Sequence, residues 1–210
     1  MSYITSILFI ILFLVQPLTG NDQNKKTMDT VNQKKVETAT FGAGCFWCVE
    51  AVFQQLEGVQ SVTSGYSGGE VKNPSYKEVT TGKTGHAEAV QIKYDPALIG
   101  YRELLEVFWK THDPTTLNRQ GPDIGPQYRS VIFYHNEEQK RIAEKSKNEM
   151  DRSGYFSDPI VTEMEPYKNF YVAEDYHQDF YRNNPNQPYC RVHIDPKINK
   201  LQQQFGKHLK

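Results

Sequence analysis

Val36-Glu37-Thr38-Ala39-Thr40-Phe41-Gly42-Ala43-Gly44-Cys45-Phe46-Trp47-Cys48-Val49-Glu50-Ala51-Val52-Phe53 decides the fold, because its hydrophobic period changes in the middle. Up to Gly42 the stretch alternates loosely and is rich in β-branched residues, as a strand would be. Beyond Cys48, the apolar residues Val49, Val52, Phe53 and Leu56 fall at i, i+3, i+4 and i+7, a helical stripe. Gly58 then stands where a helix C-cap glycine is expected. Cys45 is thereby placed at a strand-to-helix junction, in the first turn of the helix. Free backbone N–H groups and the positive end of the helix dipole favour a thiolate there. The expectation is a Cys45 pKa below the ordinary thiol value of about 8.5. Gly42 and Gly44 are read as letting the backbone turn sharply and leaving the sulfur accessible.

Two of the chain's three cysteines lie in this stretch, spaced C-x-x-C. Such a pair can be half of a zinc site, and Cys190 and His193 could complete a Cys3His set. It can also be a structural disulfide, or a redox pair with a nucleophilic first thiol. The Phe-Trp spacer favours the redox pair, since zinc knuckles usually carry polar residues or glycine there. No metal is assigned.

Working outward, Val59 to Gly65 reads as a second strand and His86 to Tyr94 as a third, closed by Asp95-Pro96. Between them lies a glycine-rich segment with a short helical turn near Tyr76 to Val79. Tyr101 to Thr111 is a predicted helix with Leu104, Leu105, Phe108 and Trp109 on one face. Asp113 to Gln127 is a loop, Ser130 to Tyr134 a short apolar strand, and Asn136 caps a charged helix running to Arg152. Pro159 to Met164 reads as an edge strand, Ala173 to Tyr181 as a helix, and the tail from Cys190 as a short extended piece among polar residues. Strand, helix, strand, strand, helix, strand is the split βαβ order. The fold class is α+β: a two-layer sandwich, its sheet mostly antiparallel, with helices on one side and long irregular loops. Loops of that length are usually functional.

The N-terminus stands apart. Ile4 to Val15 is an almost unbroken apolar run, shorter than the roughly 20 residues a membrane span needs and of signal-peptide length. Residues 1–20 are read as a signal peptide or an N-terminal anchor, residues 21–34 as a flexible polar linker, and residues 35–210 as one domain able to bury its own core. The chain is therefore expected to be exported, to the periplasm or the exterior, or anchored by its apolar segment. A net charge of −1 and the lack of a basic stripe argue against nucleic acid as a partner. No sustained heptad repeat is present, so a monomer is expected.

Glu88 draws attention by pattern alone. In a strand over His86–Tyr94 it shares a face with Val90, Ile92 and Tyr94. A carboxyl on an apolar face is stable there if protonated or hydrogen-bonded, and burial raises its pKa. A carboxyl kept protonated near neutral pH is a proton donor.

Several blocks, in order, are similar to those of the A-type peptide methionine sulfoxide reductases: Gly44-Cys45-Phe46-Trp47, Gly65-Tyr66-Ser67-Gly68-Gly69, Asn73-Pro74-Ser75-Tyr76, Thr84-Gly85-His86-Ala87-Glu88, Phe108-Trp109, His112-Asp113-Pro114, Gln127-Tyr128-Arg129-Ser130 and Ala173-Glu174-Asp175-Tyr176-His177-Gln178. The resemblance covers residues 36 to 197 and implies a ferredoxin-like core. It implies that Cys45 is the nucleophile, Glu88 the catalytic acid, Tyr76 and Tyr128 the groups that bind the oxygen, and Asp123 an active-site aspartate. It also implies that Phe46 and Trp47 form an apolar cage for a methyl group. By local pattern, Asp123 would be an Asx-turn residue and the two tyrosines ordinary packed side chains. His86, His112 and His177 receive no role. The implied reaction is reduction of methionine S-sulfoxide, free or in oxidised proteins, without a cofactor. Cys45 would pass through a sulfenic acid to a disulfide reopened by thioredoxin or a similar dithiol. Many members of the family carry glycine where Cys48 stands. Cys48 and Cys190 are therefore both candidates for the resolving thiol, with Cys48 preferred. A general thiol–disulfide oxidoreductase using Cys45 and Cys48 is the alternative.

Overall fold

A computed structural model describes residues 35–210. The N-terminal apolar run and the polar segment after it lie outside the described residues. In chain order the elements are β1 (Glu37–Ala43), α1 (Phe46–Phe53), β2 (Val59–Ser67), α2 (Tyr76–Val79), β3 (Ala87–Tyr94), α3 (Tyr101–Thr111), β4 (Arg119–Gln120), β5 (Asp123–Ile124), β6 (Ser130–Tyr134), α4 (Glu137–Arg152), β7 (Glu163–Pro166), β8 (Tyr171–Val172), α5 (Phe180–Asn183) and α6 (Asp195–Phe205).

The main sheet runs β7-β6-β1-β3-β2-β8. Its four central strands, β6-β1-β3-β2, pair antiparallel, which is the split βαβ arrangement expected from the order of elements. β8 adds antiparallel to β2, and β7 adds parallel to β6. Alternation along β3 sends Val90, Ile92 and Tyr94 to the main core and Ala87 and Ala89 to the other face. Helices α1, α3, α4 and α6 all pack into the main core. The opposite face carries a small cluster of Ala87, Ala89, Val131 and Phe133 under Tyr167 and Phe170.

Phe41 of β1 is the centre of the main core. Its ring lies 5.1–5.9 Å from those of Phe53, Tyr101 and Phe108. Burying a side chain of this size contributes about 1.5–3 kcal/mol, so this contact holds the last turn of α1 and the inner face of α3 against the sheet. Trp109, fully buried, donates its indole N–H to Ser146 Oγ at 2.8 Å and ties α3 to α4. Asn136 caps α4 by accepting the Gln139 N–H at 2.9 Å.

Four expectations are corrected. α1 ends at Phe53, and Gly58, with φ +85, turns the chain into β2 rather than capping the helix. The edge strand runs Glu163–Pro166, so it overlaps only the end of the expected Pro159–Met164 stretch, whose earlier residues are committed elsewhere: Ile160 N–H to Asp151 and Val161 N–H to Pro114. Ala173 to Tyr181 is not one helix: a 3-10 turn at Asp175–His177 is broken by Asp179, at φ 52, before the short α5. The tail is helical rather than extended. Cys190–Ile194 forms a π-type turn that leads into α6, which buries Ile198, Leu201 and Phe205. The Asp113–Gln127 loop also contains the small hairpin β4–β5, paired Arg119 to Ile124 and Gln120 to Asp123.

Candidate active site

The sheet register assembles the site. Phe41 pairs with Val90 across β1 and β3. Two residues further, the end of β1 stands against Glu88, and the chain then turns through Gly44 into α1. Gly44 has φ +86, and a Cβ there would lie 2.5 Å from the Gln120 side chain, so only glycine fits this turn. Gly42 serves differently: it lies inside β1, where a Cβ would meet Val131 at 2.8 Å.

Cys45 is the N-cap residue of α1 rather than part of its first turn; its carbonyl accepts the Cys48 N–H at 3.1 Å. The Phe46 N–H, the first free donor of the helix, is given to Glu88 Oε2 at 3.0 Å. The helix N-terminus is thus occupied by the carboxyl, not by the thiol. Glu88 is only 2 % exposed, and burial pushes its pKa up to about 8, with the Phe46 N–H opposing that rise. At neutral pH it is a neutral acid, as its place on the apolar face predicts. With Oε2 engaged by the backbone, Oε1 is left to carry the proton.

The expectation for Cys45 is reversed. The thiol is 8 % exposed rather than open, and burial pushes its pKa well above the ordinary value. Neighbouring Cys48 raises it further. Cys48 is shifted down instead, first because the Cys45 thiol hydrogen-bonds to it, then through the positive charge of Lys197. Lys197 is fixed by its Nζ, which donates to Thr111 O at 3.0 Å. In the resting site Cys45 therefore keeps its proton. Cys190 is fully buried, beneath the start of the C-terminal helical segment. All three thiols are free. Among the described residues no group of His, Cys, Asp and Glu could hold a metal ion.

Cys45, Phe46, Trp47, Tyr76, Glu88, Asp123 and Tyr128 line one cavity of about 80 Å³ together with Tyr189. All seven residues singled out at this site, Cys48 and Cys190 aside, are thus brought together. The cavity is well below the 300–1,000 Å³ or so of sites for drug-sized molecules, and fits the end of one side chain. A larger cleft of about 540 Å³ borders α6 but is lined by no thiol. Burial raises the phenols of Tyr76, to about 12, and of Tyr128, so both are donors at any ordinary pH. Tyr76 is held by its backbone, which donates to Glu174 Oε1 at 2.9 Å, while Tyr66 donates to Oε2 of the same carboxylate at 2.8 Å.

The aromatic wall is built in layers. Phe46 stacks on Tyr76 at 6.4 Å and packs against Tyr66 and His177. Trp47 donates its indole N–H to His177 Nδ1 at 3.0 Å and lies flat on Phe180, with ring centres 3.6 Å apart. The histidines left without a role are structural. His86 accepts the Gly69 N–H and bonds Val71 O, fixing the turn after β2. His112 is buried between Phe108 O and Ser130 Oγ, and burial lowers its pKa to about 3.

Tyr189 joins the site although no sequence pattern singles it out. Its hydroxyl donates to Asp123 Oδ2 at 2.9 Å, and its ring meets Trp47 edge-on at 5.7 Å. It also lines, with Cys45, Cys48, Asp123 and Lys197, a second small cavity of about 70 Å³ behind the thiols. Its pKa is raised by burial and by the two thiols. The only sequence signal was its place beside Cys190.

The chain matches known proteins over nearly all of this domain. A family model described as peptide methionine sulfoxide reductase matches residues 37–209. A peptide methionine sulfoxide reductase MsrA of Rhodopirellula baltica is 58% identical over 174 residues, covering 83% of this chain and 90% of that one. One from Sulfolobus acidocaldarius is 57% identical over 170 residues, covering 81% and 96%. Among solved structures, reduced Mxr1 from Saccharomyces cerevisiae aligns with TM-score 0.69 at 38% identity, over 76% of this chain and 91% of that one. Methionine sulfoxide reductase A of Corynebacterium diphtheriae aligns with TM-score 0.66 at 35% identity, over 77% and 80%. On sequence and fold together, the chain belongs to the peptide methionine sulfoxide reductase family.

Proposed function

We infer that the chain reduces methionine S-sulfoxide, free or within oxidised proteins, to methionine. One observation carries the reading: a thiol, a buried neutral carboxylic acid, two phenol donors and the rings of Phe46 and Trp47 line the same small cavity. A methyl sulfoxide presents a polar S=O and an apolar S-methyl, and the cavity lining offers hydrogen-bond donors for the one and aromatic rings for the other. Phe46 and Trp47 take the methyl group. The oxygen is met by the hydroxyls of Tyr76 and Tyr128 and by the protonated oxygen of Glu88.

Cys48, whose pKa is lowered by the hydrogen bond from Cys45 and by Lys197, enters the step as a thiolate and takes the Cys45 proton, becoming a thiol. The Cys45 thiolate then attacks the sulfoxide sulfur while Glu88 protonates the oxygen. The oxygen moves to Cys45, the substrate sulfur gains two electrons and leaves as methionine, and Cys45 is left as a sulfenic acid. Cys48, one helical turn away, attacks that sulfur and expels the oxygen as water, forming a Cys45–Cys48 disulfide. An external dithiol of thioredoxin type reopens it by thiol–disulfide exchange. Cys190 is the second candidate, but it is locked at the base of a packed helical segment. Asp123, held by Tyr189, completes the wall beside the thiols. We also propose that residues 1–20 direct export or anchor the chain, that residues 21–34 are a linker, and that the enzyme acts as a monomer. Fractionation of cells expressing the full chain, and its mass in solution, check these points.

The reaction is tested by turnover of the two separated methionine sulfoxide epimers with dithiothreitol, for wild type and Cys45→Ser. Reduction of the S epimer alone, abolished by the substitution, is expected. Disulfide exchange without sulfoxide reduction would overturn the reading. With thioredoxin as reductant, Cys48→Ser is expected to stall after one turnover and Cys190→Ser to continue; the reverse pattern would make Cys190 the resolving thiol.

A further inference from the structure

Glu50 is a buried carboxyl that the reaction above does not use. It lies on α1 one and a half turns beyond Cys45 and is only 2 % exposed. Its carboxyl faces the backbone N–H groups of Asp179 and Phe180, which favour its charged form. Those residues open α5, at the point where the chain breaks out of its 3-10 turn through the positive φ of Asp179. A non-glycine residue in that conformation is held against a cost of roughly 1–3 kcal/mol, so something must clamp it. Three side chains do: Glu50 on the N–H groups, Gln54 on Asp179 Oδ1 at 2.9 Å, and Arg182 on the same oxygen at 3.2 Å. Glu50 on α1 and Gln54, the residue that caps its C-terminus, stand four residues apart, so the helix that Cys45 caps also grips this segment.

The gripped segment bears the ring that backs the cage. Phe180 lies parallel to Trp47, with 6° between their planes. Trp47 is itself on α1, three residues before Glu50. The loop back from α1 to α1 is closed: Glu50 holds the Asp179–Phe180 backbone, Phe180 holds the face of Trp47, and Trp47 lines the cavity. We propose that Glu50 is a positioning residue for the substrate's methyl cage, acting through Phe180 on Trp47. The proposal rests on the reading of Trp47 as part of that cage. Burial pushes the Glu50 carboxyl up to about 7, with its two N–H bonds opposing the rise, which agrees with a group that works as a hydrogen-bond acceptor and not as a surface charge.

The test compares Glu50→Ala, Glu50→Gln, Phe180→Leu and the double variant Glu50→Ala/Phe180→Leu. Two quantities are read: KM and kcat for methionine S-sulfoxide, and tryptophan emission with its quenching by acrylamide. Trp47 and Trp109 are the chain's two tryptophans, and Trp109 is fully buried, so a change in quenching reports Trp47. For Glu50→Ala, KM is expected to rise about tenfold with a smaller change in kcat, in line with a modest misplacement of a binding wall. Its Trp47 should be more readily quenched. Glu50→Gln keeps an acceptor oxygen and is expected to stay near wild type. The double variant is expected to be no worse than Phe180→Leu, because both changes cut one path. Independent, multiplying effects of the two substitutions on KM would overturn the proposal, as would unchanged Trp47 quenching in a folded Glu50→Ala protein. If Glu50→Ala is unfolded, a Glu50→Gln protein with disturbed quenching overturns it too. Altered quenching with unchanged KM would instead remove Trp47 from the cage, and the proposal would fall with the reading beneath it.

Discussion

Replacing Glu88 by glutamine should stabilise the protein while removing its activity, and the stabilisation should depend on pH in a defined way. The folded chain holds the Glu88 proton with a pKa of about 8, against an ordinary value of 4.5. A carboxyl with a raised folded-state pKa contributes fully below 4.5, and that contribution is lost as pH rises toward 8. At pH 7 the unfolded chain has shed the proton and the folded chain has largely kept it, a disadvantage of about 3 kcal/mol to the folded state. Above pH 8 the buried carboxylate is ionised and the disadvantage levels off near about 5 kcal/mol. Glutamine is neutral throughout and retains an oxygen for the Phe46 N–H. Urea unfolding of wild type and Glu88→Gln at pH 5, 6, 7 and 8.5 should therefore show a gap that widens with pH, from under about 1 kcal/mol to several. Sulfoxide reduction by the variant should fall by about 10²–10⁴-fold, the usual worth of a positioned proton donor. A gap that stays constant from pH 5 to pH 8 would show that Glu88 titrates as an ordinary surface carboxyl. The acid-catalysis argument would then fail whatever the activity.

Tyr76→Phe and Tyr128→Phe should each lower kcat/KM by roughly tenfold, and together by about 10²-fold, since each removes one donor to the same oxygen; steady-state kinetics with methionine S-sulfoxide and dithiothreitol measure this, and a double variant no worse than either single one would place only one hydroxyl on the oxygen. Gly44→Ala should cost about 1–3 kcal/mol, by strain at φ +86 and by displacing Gln120. Gln120 cannot move freely, because its amide is bonded at both ends to the Asp113 backbone, so urea unfolding should show the loss and turnover should fall with it. Ser146→Ala leaves the buried Trp109 N–H without its acceptor, and should cost about 1–3 kcal/mol of stability with kcat unchanged.

The site was legible where its signal was local or periodic. Glu88 could be found by counting in twos along β3, because a strand that buries one face leaves no neutral place for an ionised carboxyl. The strand order and the α1 stripe were readable for the same reason. α6 carried a helical signal too: Ile194, Ile198, Leu201 and Phe205 are spaced by four, three and four, and Pro196 stands in the first turn, a normal start for a helix. The polar residues between them hid the stripe. The break at Asp179 had no such signal, since an aspartate in a left-handed conformation is held by Glu50 and Gln54 from another helix.

The reversal at Cys45 has the same physical root. A helix N-terminus offers a few free N–H groups, and which neighbour receives them is decided by the sheet register, 42 residues away in sequence. Here the first N–H goes to Glu88, so the positive end of α1 acts on an acid that burial already keeps neutral. The thiol gains less from the helix than its place in the sequence suggests and keeps its proton at rest. A thiolate on Cys45 would also lie against the Glu88 carboxylate whenever that group ionised, and each charge disfavours the other. The arrangement therefore couples the two steps of the reaction. The site favours attack by Cys45 only while Glu88 is protonated, which is the state in which it can supply a proton to the sulfoxide oxygen.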